Sequence, residues 1–379
     1  MTRVISCIAV LFLFVSAGSV IAGETQQSSK SFKVSKGGLI KISLTTGNIR
    51  INTWDKNEVN VRMENMGDAD EMNAHQIKIY QSGNTVTVEN RGGGGWPNSN
   101  DVSVSVPTEF NADLNTNQGN IDIRADLNGT VSVFTGGGDI TVKNITGKIN
   151  FKSYGGGINT NNIGGDADIS TNGGDIECGN FSGNAELKTL GGSITVGNVS
   201  RNLNASTNGG EITTGEIGGK AEVVTLGGEI DIKKVASSAT VKTNGGNIKL
   251  SGSNGPVNAV TMGGNIDLYK VSGPVQVKTF AGDIYTELEA VGNSSSKIST
   301  LSGNISLYIN PSEKATIKCE AKNASYGSGE KAIVSDFNPE SYKESQYSGF
   351  TDASYNLNGG GQQISLSTLN GGIKIKKLK

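Results

Sequence analysis

Thr171-Asn172-Gly173-Gly174-Asp175-Ile176-Glu177-Cys178 is one copy of an element that recurs every 18 residues through the middle of the chain. A hydroxyl side chain begins each copy, and the same spacing gives Thr135, Ser153, Thr171, Thr189, Thr207, Thr225, Thr243, Thr261 and Thr279. The isoleucine five residues later is equally regular, at Ile140, Ile158, Ile176, Ile194, Ile212, Ile230, Ile248, Ile266 and Ile284. Identical residues at one fixed offset favour parallel stacking of equivalent positions over an array of hairpins.

Apolar and polar residues alternate with a period of two inside each unit. Ile140 and Val142 show it after the corner, and Ala185-Glu186-Leu187-Lys188-Thr189 shows it in the second half of a unit. Such short alternating runs indicate half-buried strands, so each unit should hold two strands separated by two turns. A helix is excluded because the 3.6-residue period is absent and each repeated Gly would cost about 1 kcal/mol in a helix.

The predicted fold is therefore all-β: a single-stranded parallel β-helix, or β-solenoid, with 18-residue coils, an N-terminal β cap and a C-terminal cap. Coils stacked about 4.8 Å apart would give roughly ten layers and a rod about 45–50 Å long. We expect the Gly-Gly corner to supply the positive φ of a sharp turn. The inward hydroxyl should satisfy backbone groups of that turn.

The chain divides into four predicted segments. Residues 1–22 have the positive start, the short apolar stretch and the small final residue of a secretory signal peptide, and a retained membrane anchor is the alternative. Residues 31–110 form an N-terminal β-rich cap or a fused β domain, with a short helical turn near 67–76 and a flexible loop at 91–100. The parallel β-solenoid takes residues 111–309, and residues 310–379 hold a C-terminal cap and the final coils.

Charge and cysteine content limit the cellular setting and the partners. The formal net charge is −2, and removal of Arg3 with the signal peptide makes it about −3, which gives no general attraction to nucleic acid or anionic lipid. Because a secretory signal peptide is predicted and no later segment reaches transmembrane length, we expect an extracytoplasmic protein that is secreted, periplasmic or at the cell surface. Cys178 and Cys319 could pair in an oxidising compartment, but the core position of Cys178 favours a buried free thiol.

The repeated Thr-x-x-Gly-x-Ile element, followed two residues later by a usually apolar position, occurs for example at Thr116 to Ile123 and at Thr368 to Ile375. A related stretch near the N-terminus is Thr46-Gly47-Asn48-Ile49-Arg50-Ile51-Asn52-Thr53-Trp54-Asp55, followed by Val59-Asn60-Val61. With these motifs, roughly residues 31–379 resemble the bacterial putative-adhesin family of unknown function, which is related to the head GIN adhesin domains. The resemblance implies an extracytoplasmic β-solenoid and supplies no catalytic residues.

The motifs of enzymes and cofactor sites are weak in this sequence. His75 is the single histidine, whereas catalytic triads and zinc sites need several converging partners. The Gly-Gly pairs lack the Lys-Ser/Thr and the following helix of a phosphate-binding loop. We therefore expect no enzyme activity and no cofactor. A carbohydrate-active β-helix enzyme is the alternative, by analogy of fold alone.

Two charged columns should face outward from the coils. One lies just before the isoleucines and contains Asp139, Asp175, Glu211, Glu229 and Asp283; the other lies on the opposite strand and contains Lys152, Lys188, Lys242 and Lys278. They predict one acidic and one basic face. Calcium on the acidic column is an alternative to a solvated surface, although Gly157, Ser193, Asn247 and Asn265 interrupt it and calcium takes six or more oxygen ligands.

The residue after each corner hydroxyl alternates between asparagine and a large apolar residue, giving Asn172, Leu190, Asn208, Leu226, Asn244, Met262 and finally Phe280. One interpretation is structural, because Asn tolerates the conformations of tight corners and Leu can pack on the flanking coil. The other interpretation is a contact surface, since exposed apolar rows mark interaction sites.

These features together predict a non-catalytic, adhesin-like structural or binding protein of the cell envelope. We expect its partner to be a cell-surface glycan or an envelope protein and not nucleic acid. An envelope sensor or assembly module is a further alternative. The oligomeric state stays open.

Overall fold

The computed structural model describes residues 29–64, 77–90, 101–322, 331–345 and 349–379, and these residues form strands, bridges, turns and bends only. The predicted signal peptide, His75, the short helical turn and the loop at 91–100 lie outside these ranges. Within the described ranges, no helix is long and apolar enough to cross a membrane.

Two long sheets run along the molecule, and equivalent strands of successive coils pair in parallel. Sheet A has 17 strands: β1 (Ser29–Lys33), β3 (Ile49–Trp54), β4 (Glu58–Glu64), β7 (Asp101–Pro107), β9 (Ile121–Ile123), β11 (Ile140–Val142), β13 (Ile158–Thr160), β15 (Ile176–Cys178), β17 (Ile194–Val196), β19 (Ile212–Ile217), β21 (Ile230–Val235), β23 (Ile248–Leu250), β25 (Ile266–Ser272), β27 (Ile284–Ala290), β29 (Ile305–Ile309), β31 (Ile333–Ser335) and β35 (Ile373–Lys377).

Sheet B contains the remaining strands: β2 (Gly38–Thr46), β5 (Ile77–Ser82), β6 (Thr85–Asn90), β8 (Phe110–Gln118), β10 (Val131–Thr135), β12 (Ile149–Ser153), β14 (Ala167–Ser170), β16 (Ala185–Lys188), β18 (Leu203–Ser206), β20 (Ala221–Val224), β22 (Ala239–Lys242), β24 (Val257–Val260), β26 (Val275–Ala281), β28 (Ser296–Ser302), β30 (Ala315–Lys322), β32 (Ser341–Glu344), β33 (Phe350–Leu357) and β34 (Gln362–Asn370).

The 18-residue coil is confirmed by the register of the sheets. Ile140 pairs with Ile158, and the same register continues coil by coil to Ile284, so the isoleucines stack as one ladder. These isoleucines are buried, as are the alternate residues of the sheet B strands. The predicted all-β solenoid is therefore correct.

A third set of parallel contacts joins the coils where the sequence suggested only a loose turn. It consists largely of single-residue bridges, again 18 residues apart, at Leu127, Ile145, Ile163, Phe181, Val199, Ile217, Val235, Ser253 and Val271. All of these side chains are buried. The coil therefore encloses its core with three sides, and the prediction of two strands and two turns missed the third.

The buried hydroxyls of the corner bond to backbone groups of the turn, as predicted, and they also link each coil to the one before it. Thr261, for example, donates to the carbonyl oxygen of Gly246 at 2.9 Å and accepts from the N–H of Gly264 at 3.3 Å. The equivalent donated bonds are 2.7–3.1 Å long from Thr116 to Thr368. The regular spacing of this hydroxyl is thus explained by a structural role.

The second glycine of each corner is needed for close stacking, not for the predicted positive φ. Between residues 121 and 284, all of which the structure describes, no glycine has a positive φ. A Cβ added to Gly228 would lie 2.0 Å from the carbonyl oxygen of Gly210 in the preceding coil. The first glycine has more room, because a Cβ on Gly227 would lie 3.3 Å from its nearest neighbour. Ala281 can therefore replace the first glycine.

The N-terminal segment adds coils to the rod in an order that differs from the sequence. β2 and β3 pair in parallel with β8 and β9, the next coil of the stack. On their other side they pair in parallel with β6 and β7, which come later in the chain. Antiparallel β5 and β4 then cover β6 and β7, and β1 pairs with β4. The predicted cap and the predicted solenoid therefore share both sheets.

The C-terminal end repeats this arrangement in reverse. The last two strands, β34 and β35, pair in parallel with β28 and β29 on one side and with β30 and β31 on the other. Antiparallel β33 covers β30, and β32 covers β33. The last coil in sequence is therefore not the last in space, and the start of the segment predicted as a C-terminal cap supplies a coil of its own, β30 and β31. In sheet B, the outermost described strands at the two ends, β5 and β32, are antiparallel to their neighbours.

The extra coils lengthen the molecule. About 15 parallel layers at about 4.8 Å give a rod about 70 Å long, against the predicted 45–50 Å. Cys178 and Cys319 are both free, as the core position of Cys178 suggested. Cys319 is buried and Cys178 partly buried, and desolvation raises the pKa of each thiol to about 12.

Candidate functional site

The predicted acidic column lies at the corner that precedes sheet A, and its five side chains are exposed. Three of the carboxylates also hold the backbone together, because each accepts from the N–H of the equivalent residue on the next coil. The N···O distances are 2.8 Å for Asp139, 2.7 Å for Asp175 and 2.6 Å for Asp283. Glu229 instead accepts from the side chain of Asn247.

Asparagines in the same column make the same bond, so the column is a ladder of side-chain oxygens. Its amide members are Asn48, Asn120, Asn247, Asn265 and Asn304. Asp and Asn share the short side chain that places an oxygen at this distance, which gives the acidic residues a structural role. In the part of the chain that the structure describes, no three His, Cys, Asp or Glu side chains are grouped so as to hold a metal ion. Calcium on this column stays a prediction.

The four lysines of the second column point outward from sheet B and are exposed. The ammonium of Lys152 lies 5.1 Å from the ring centroid of Tyr154, and that of Lys278 lies 4.6 Å from the ring centroid of Phe280. Lys188 forms an ion pair with Glu186 of the same strand. Because carboxylates lie beside the lysines, this face is mixed in charge, whereas the sequence predicted a basic face.

A shallow groove of about 850 Å³ runs along the start of the sheet B strands and crosses seven coils. Two parallel rows of polar side chains line it. The corner row contains Lys148, Asp166, Asn184, Asn202 and Lys220, and the strand row contains Asn150, Asp168, Glu186, Asn204 and Glu222. The sequence prediction did not identify this groove.

The corner row of the groove is a second ladder of side-chain oxygens. Asp166 Oδ1 accepts from the N–H of Asn184 at 2.9 Å, and Asn202 Oδ1 accepts from the N–H of Lys220 at 2.9 Å. The bond from the Asn184 backbone lowers the pKa of Asp166, with smaller effects from the Asn184 side chain and the nearby Lys148. The 18-residue spacing of Asn184 and Asn202 was the sequence signal for this row.

The strand row is free of that backbone role and faces the groove. Asp168 and Glu186 are directly opposite each other on neighbouring strands, and Asn204 follows on the next coil. The named residues of the two rows comprise four carboxylates, two ammonium groups and four amides. The lining therefore offers both donors and acceptors at four of these five coils, and only acceptors at the coil of Asp166 and Asp168, with a modest excess of negative charge.

Several solved structures are similar to this chain at low sequence identity and low TM-score. A putative adhesin from Parabacteroides distasonis is 16% identical over 69% of this chain and 97% of its own, with a TM-score of 0.31. A second putative adhesin, from Bacteroides fragilis, is 14% identical over 94% of this chain and 98% of its own, with a TM-score of 0.20. A putative lipid binding protein from Parabacteroides distasonis is 13% identical over 93% and 97%, with a TM-score of 0.23. At these scores no functional argument follows.

No curated protein matches the chain. The Toastrack DUF4097 family, in contrast, matches residues 39–233 and 199–376, two overlapping stretches that cover nearly all of the described rod. The predicted resemblance to a solenoid family of unknown function is thereby confirmed. The chain belongs to the Toastrack DUF4097 family.

Proposed function

We propose that this protein is a non-catalytic, extracytoplasmic scaffold that binds an extended, uncharged glycan of the cell envelope along the sheet B groove. The observation that carries the proposal is the groove itself, which presents two polar rows across seven successive coils. Equivalent side chains recur about every 4.8 Å along the rod. A polymer lying along the axis would therefore make the same weak contact many times.

The chemistry of the lining favours a glycan over other polymers. Amides such as Asn150 and Asn204 donate and accept hydrogen bonds, and carboxylates such as Asp168 accept them, which suits a ligand rich in hydroxyl groups. Carboxylates outnumber ammonium groups among the named lining residues, so a polyanion such as nucleic acid would meet repulsion. Shallow grooves bind through many modest contacts, which fits adhesion better than capture of a small molecule.

The test is a binding screen of the mature protein against envelope polysaccharides and intact cell envelopes. A triple variant, Asn150→Ala, Asn204→Ala and Glu222→Ala, removes strand-row contacts without touching the backbone ladders. The matched control is Thr141→Ala with Thr213→Ala, two exposed positions on sheet A. We expect the groove variant to bind at least tenfold more weakly and the control to bind normally. Absence of binding to any envelope glycan, or equal loss in both variants, would overturn the proposal.

The same screen is run with and without calcium. A calcium-dependent gain in binding together with a higher melting temperature would assign calcium to the acidic column. Unchanged binding and melting temperature would leave that column with its backbone role alone.

A carbohydrate-active enzyme is the second candidate, and one observation favours it. Asp168 and Glu186 are neighbouring carboxylates on the strand row, and glycoside hydrolysis uses paired carboxylates. Asp168→Asn and Glu186→Gln keep the shape of the groove while removing acid and base groups. Release of reducing ends by the wild type but by neither variant, with binding retained, would establish the enzyme. Retained binding without any release supports the scaffold.

A further inference from the structure

Large apolar side chains form an exposed row, here called the apolar ridge, at the corner between sheet B and sheet A. Its members occupy the position after the corner hydroxyl: Tyr154, Leu190, Leu226, Met262, Phe280, Leu301 and Leu369. Each is 38–55% exposed, and together they are seven of the ten large apolar side chains exposed in the described ranges. Their concentration in one row is not the scattered pattern of an ordinary surface.

The spacing along the apolar ridge is regular. From Tyr154 to Met262 an apolar residue stands on every second coil, and exposed asparagines fill the coils between, at Asn172, Asn208 and Asn244. From Met262 onward the apolar residues are on successive coils, because Thr279, Thr300 and Thr368 stack in register just before the ridge positions. The ridge therefore spans about ten coils, or about 45 Å.

Opposite charges flank the apolar ridge. The lysine column lies two residues before it on sheet B, and Lys152 and Lys278 lean over the rings of Tyr154 and Phe280. The acidic column lies three residues after the ridge position, on the side of sheet A, and includes Glu211 and Glu229. The ridge thus has the lysine column along one edge and the acidic column along the other, each of them interrupted by uncharged residues.

From this charge pattern we infer that the apolar ridge binds the apolar ridge of a second copy of the chain, with the two rods parallel and the two-fold axis along them. In that arrangement the lysine column of each copy faces the acidic column of the other. Antiparallel rods would instead place lysines against lysines. A membrane of anionic lipid would attract one edge of the ridge and repel the other.

The parallel arrangement also places identical residues of the two apolar ridges opposite each other. Each ridge residue meets its own counterpart, so leucine packs on leucine and asparagine meets asparagine, whose amides can bond to each other. A contact about 45 Å long needs a width of only about 18 Å to reach roughly 800 Å² per partner, the size of a standard interface. Such an interface is closed by its two-fold symmetry and does not propagate into fibres. The groove lies at the opposite end of the sheet B strands and stays open.

Sedimentation of the mature chain at micromolar concentration tests the dimer. Leu190→Ser with Leu226→Ser and Met262→Ser should weaken dimerisation at least tenfold, with unchanged circular dichroism. The matched control is Val334→Ser, an exposed apolar residue away from the ridge, and it should dimerise normally. A wild-type protein that stays monomeric, or ridge variants that dimerise normally, would overturn the inference. Monomers that bind anionic liposomes through the ridge would also overturn it.

Two further variants test the direction of the rods. Asn172→Cys and Asn244→Cys, made separately and oxidised with oxidised glutathione, should each give a self-linked dimer if the rods are parallel. Antiparallel rods allow self-linking at one height only, so failure at either position refutes the parallel arrangement. Lys242→Glu and Glu229→Lys should each weaken the dimer several-fold, and the double variant should restore it. Glycan binding by a monomeric ridge variant separates this inference from the proposed function.

Discussion

The two glycines of each corner differ in what a side chain would meet, and this gives a matched pair of variants. In Gly228→Ala the new Cβ would lie 2.0 Å from the Gly210 carbonyl oxygen, so the backbone of two coils must move apart. In Gly227→Ala the nearest atom is 3.3 Å away. We expect Gly228→Ala to cost more than about 2 kcal/mol in free energy of unfolding and Gly227→Ala less than about 1 kcal/mol. Urea denaturation measures both, and equal losses would contradict the stacking explanation.

Two buried threonines make a second matched pair. Thr261 and Thr286 are both fully buried, but the Thr261 hydroxyl bonds to Gly246 and Gly264 whereas the Thr286 hydroxyl has no partner. Thr261→Val should therefore cost about 1–3 kcal/mol, since it strands backbone groups of the corner.

Thr286→Val removes only an unpaired polar atom from the core, and we expect it to be neutral or to stabilise the protein by up to about 1 kcal/mol. Thermal denaturation of the two variants gives the comparison. A similar loss in both would show that hydrogen bonding of the hydroxyl does not determine the effect of these substitutions.

At the residue scale, the sequence was enough to predict which residues have a structural role, but not always the reason for that role. The inward parity of the corner threonines was enough to predict their bonds to the turn. The role of the second glycine was misassigned because the close contact is made with a residue 18 positions away, in the preceding coil. A single coil considered alone suggests that the second glycine is needed for a positive φ. Only the stacked coils show that it is needed because a side chain would clash with the preceding coil.

At the scale of elements, the strands followed from the period-two alternation, whereas the third side of the coil did not. Its residues vary from Leu and Phe to Ser, and many of its contacts are bridges of one residue, too short to show alternation. The groove was missed for a related reason, since its corner row is built from ladders of Asp and Asn that resemble ordinary turn residues. Their fixed spacing of 18 was the available signal.

The Asp166 ladder makes a prediction about pH. Its pKa is lowered in the folded protein, so its contribution to stability is present above the ordinary aspartate value of 3.8 and is lost as the pH falls through the lower folded value. Asp166→Asn keeps an oxygen that can accept from the Asn184 N–H and should lose this part of the acid sensitivity. Asp166→Ala removes the acceptor and should melt at a lower temperature at neutral pH.

Melting temperatures of the wild type and both Asp166 variants between pH 2 and pH 7 test this prediction. Parallel pH profiles for the wild type and Asp166→Asn would show that Asp166 does not contribute. A normal melting temperature for Asp166→Ala at neutral pH would show that the ladder bond is dispensable.

At the scale of the whole molecule, the order of coils at the two ends could not be predicted from the sequence. The 18-residue period ends before β30, and nothing local shows that β34 and β35 enter between the coils on either side. Which coil stacks on which depends on pairings across 40 or more residues. The result is a rod in which the first and last coils in sequence order each pair with a neighbouring coil on both sides. Neither of them is therefore a terminal coil, which could detach more easily.

This interleaving predicts where a buried substitution will do most damage. Ile373 in β35 lies between Ile305 and Ile333, whereas Ile333 in β31 pairs, within the described ranges, only with β35. Both are buried, at 1% and 2% exposure. Ile373→Ser should cost about 2–4 kcal/mol and loosen the coils on both sides of it, since one inner strand supports two neighbours. Hydrogen exchange should then accelerate in β29 and in β31 together.

Ile333→Ser is the matched control, and its effect should be confined to the outer coil. Exchange should accelerate in β31 and β35 and remain slow in β29, because β35 still pairs with β29 on its inner side. The contrast depends on topology alone, since the two residues are the same type at similar burial. If Ile373→Ser accelerated exchange only in β35, the result would contradict the idea that the inner coil, which contains β35, holds the C-terminal end of the rod together.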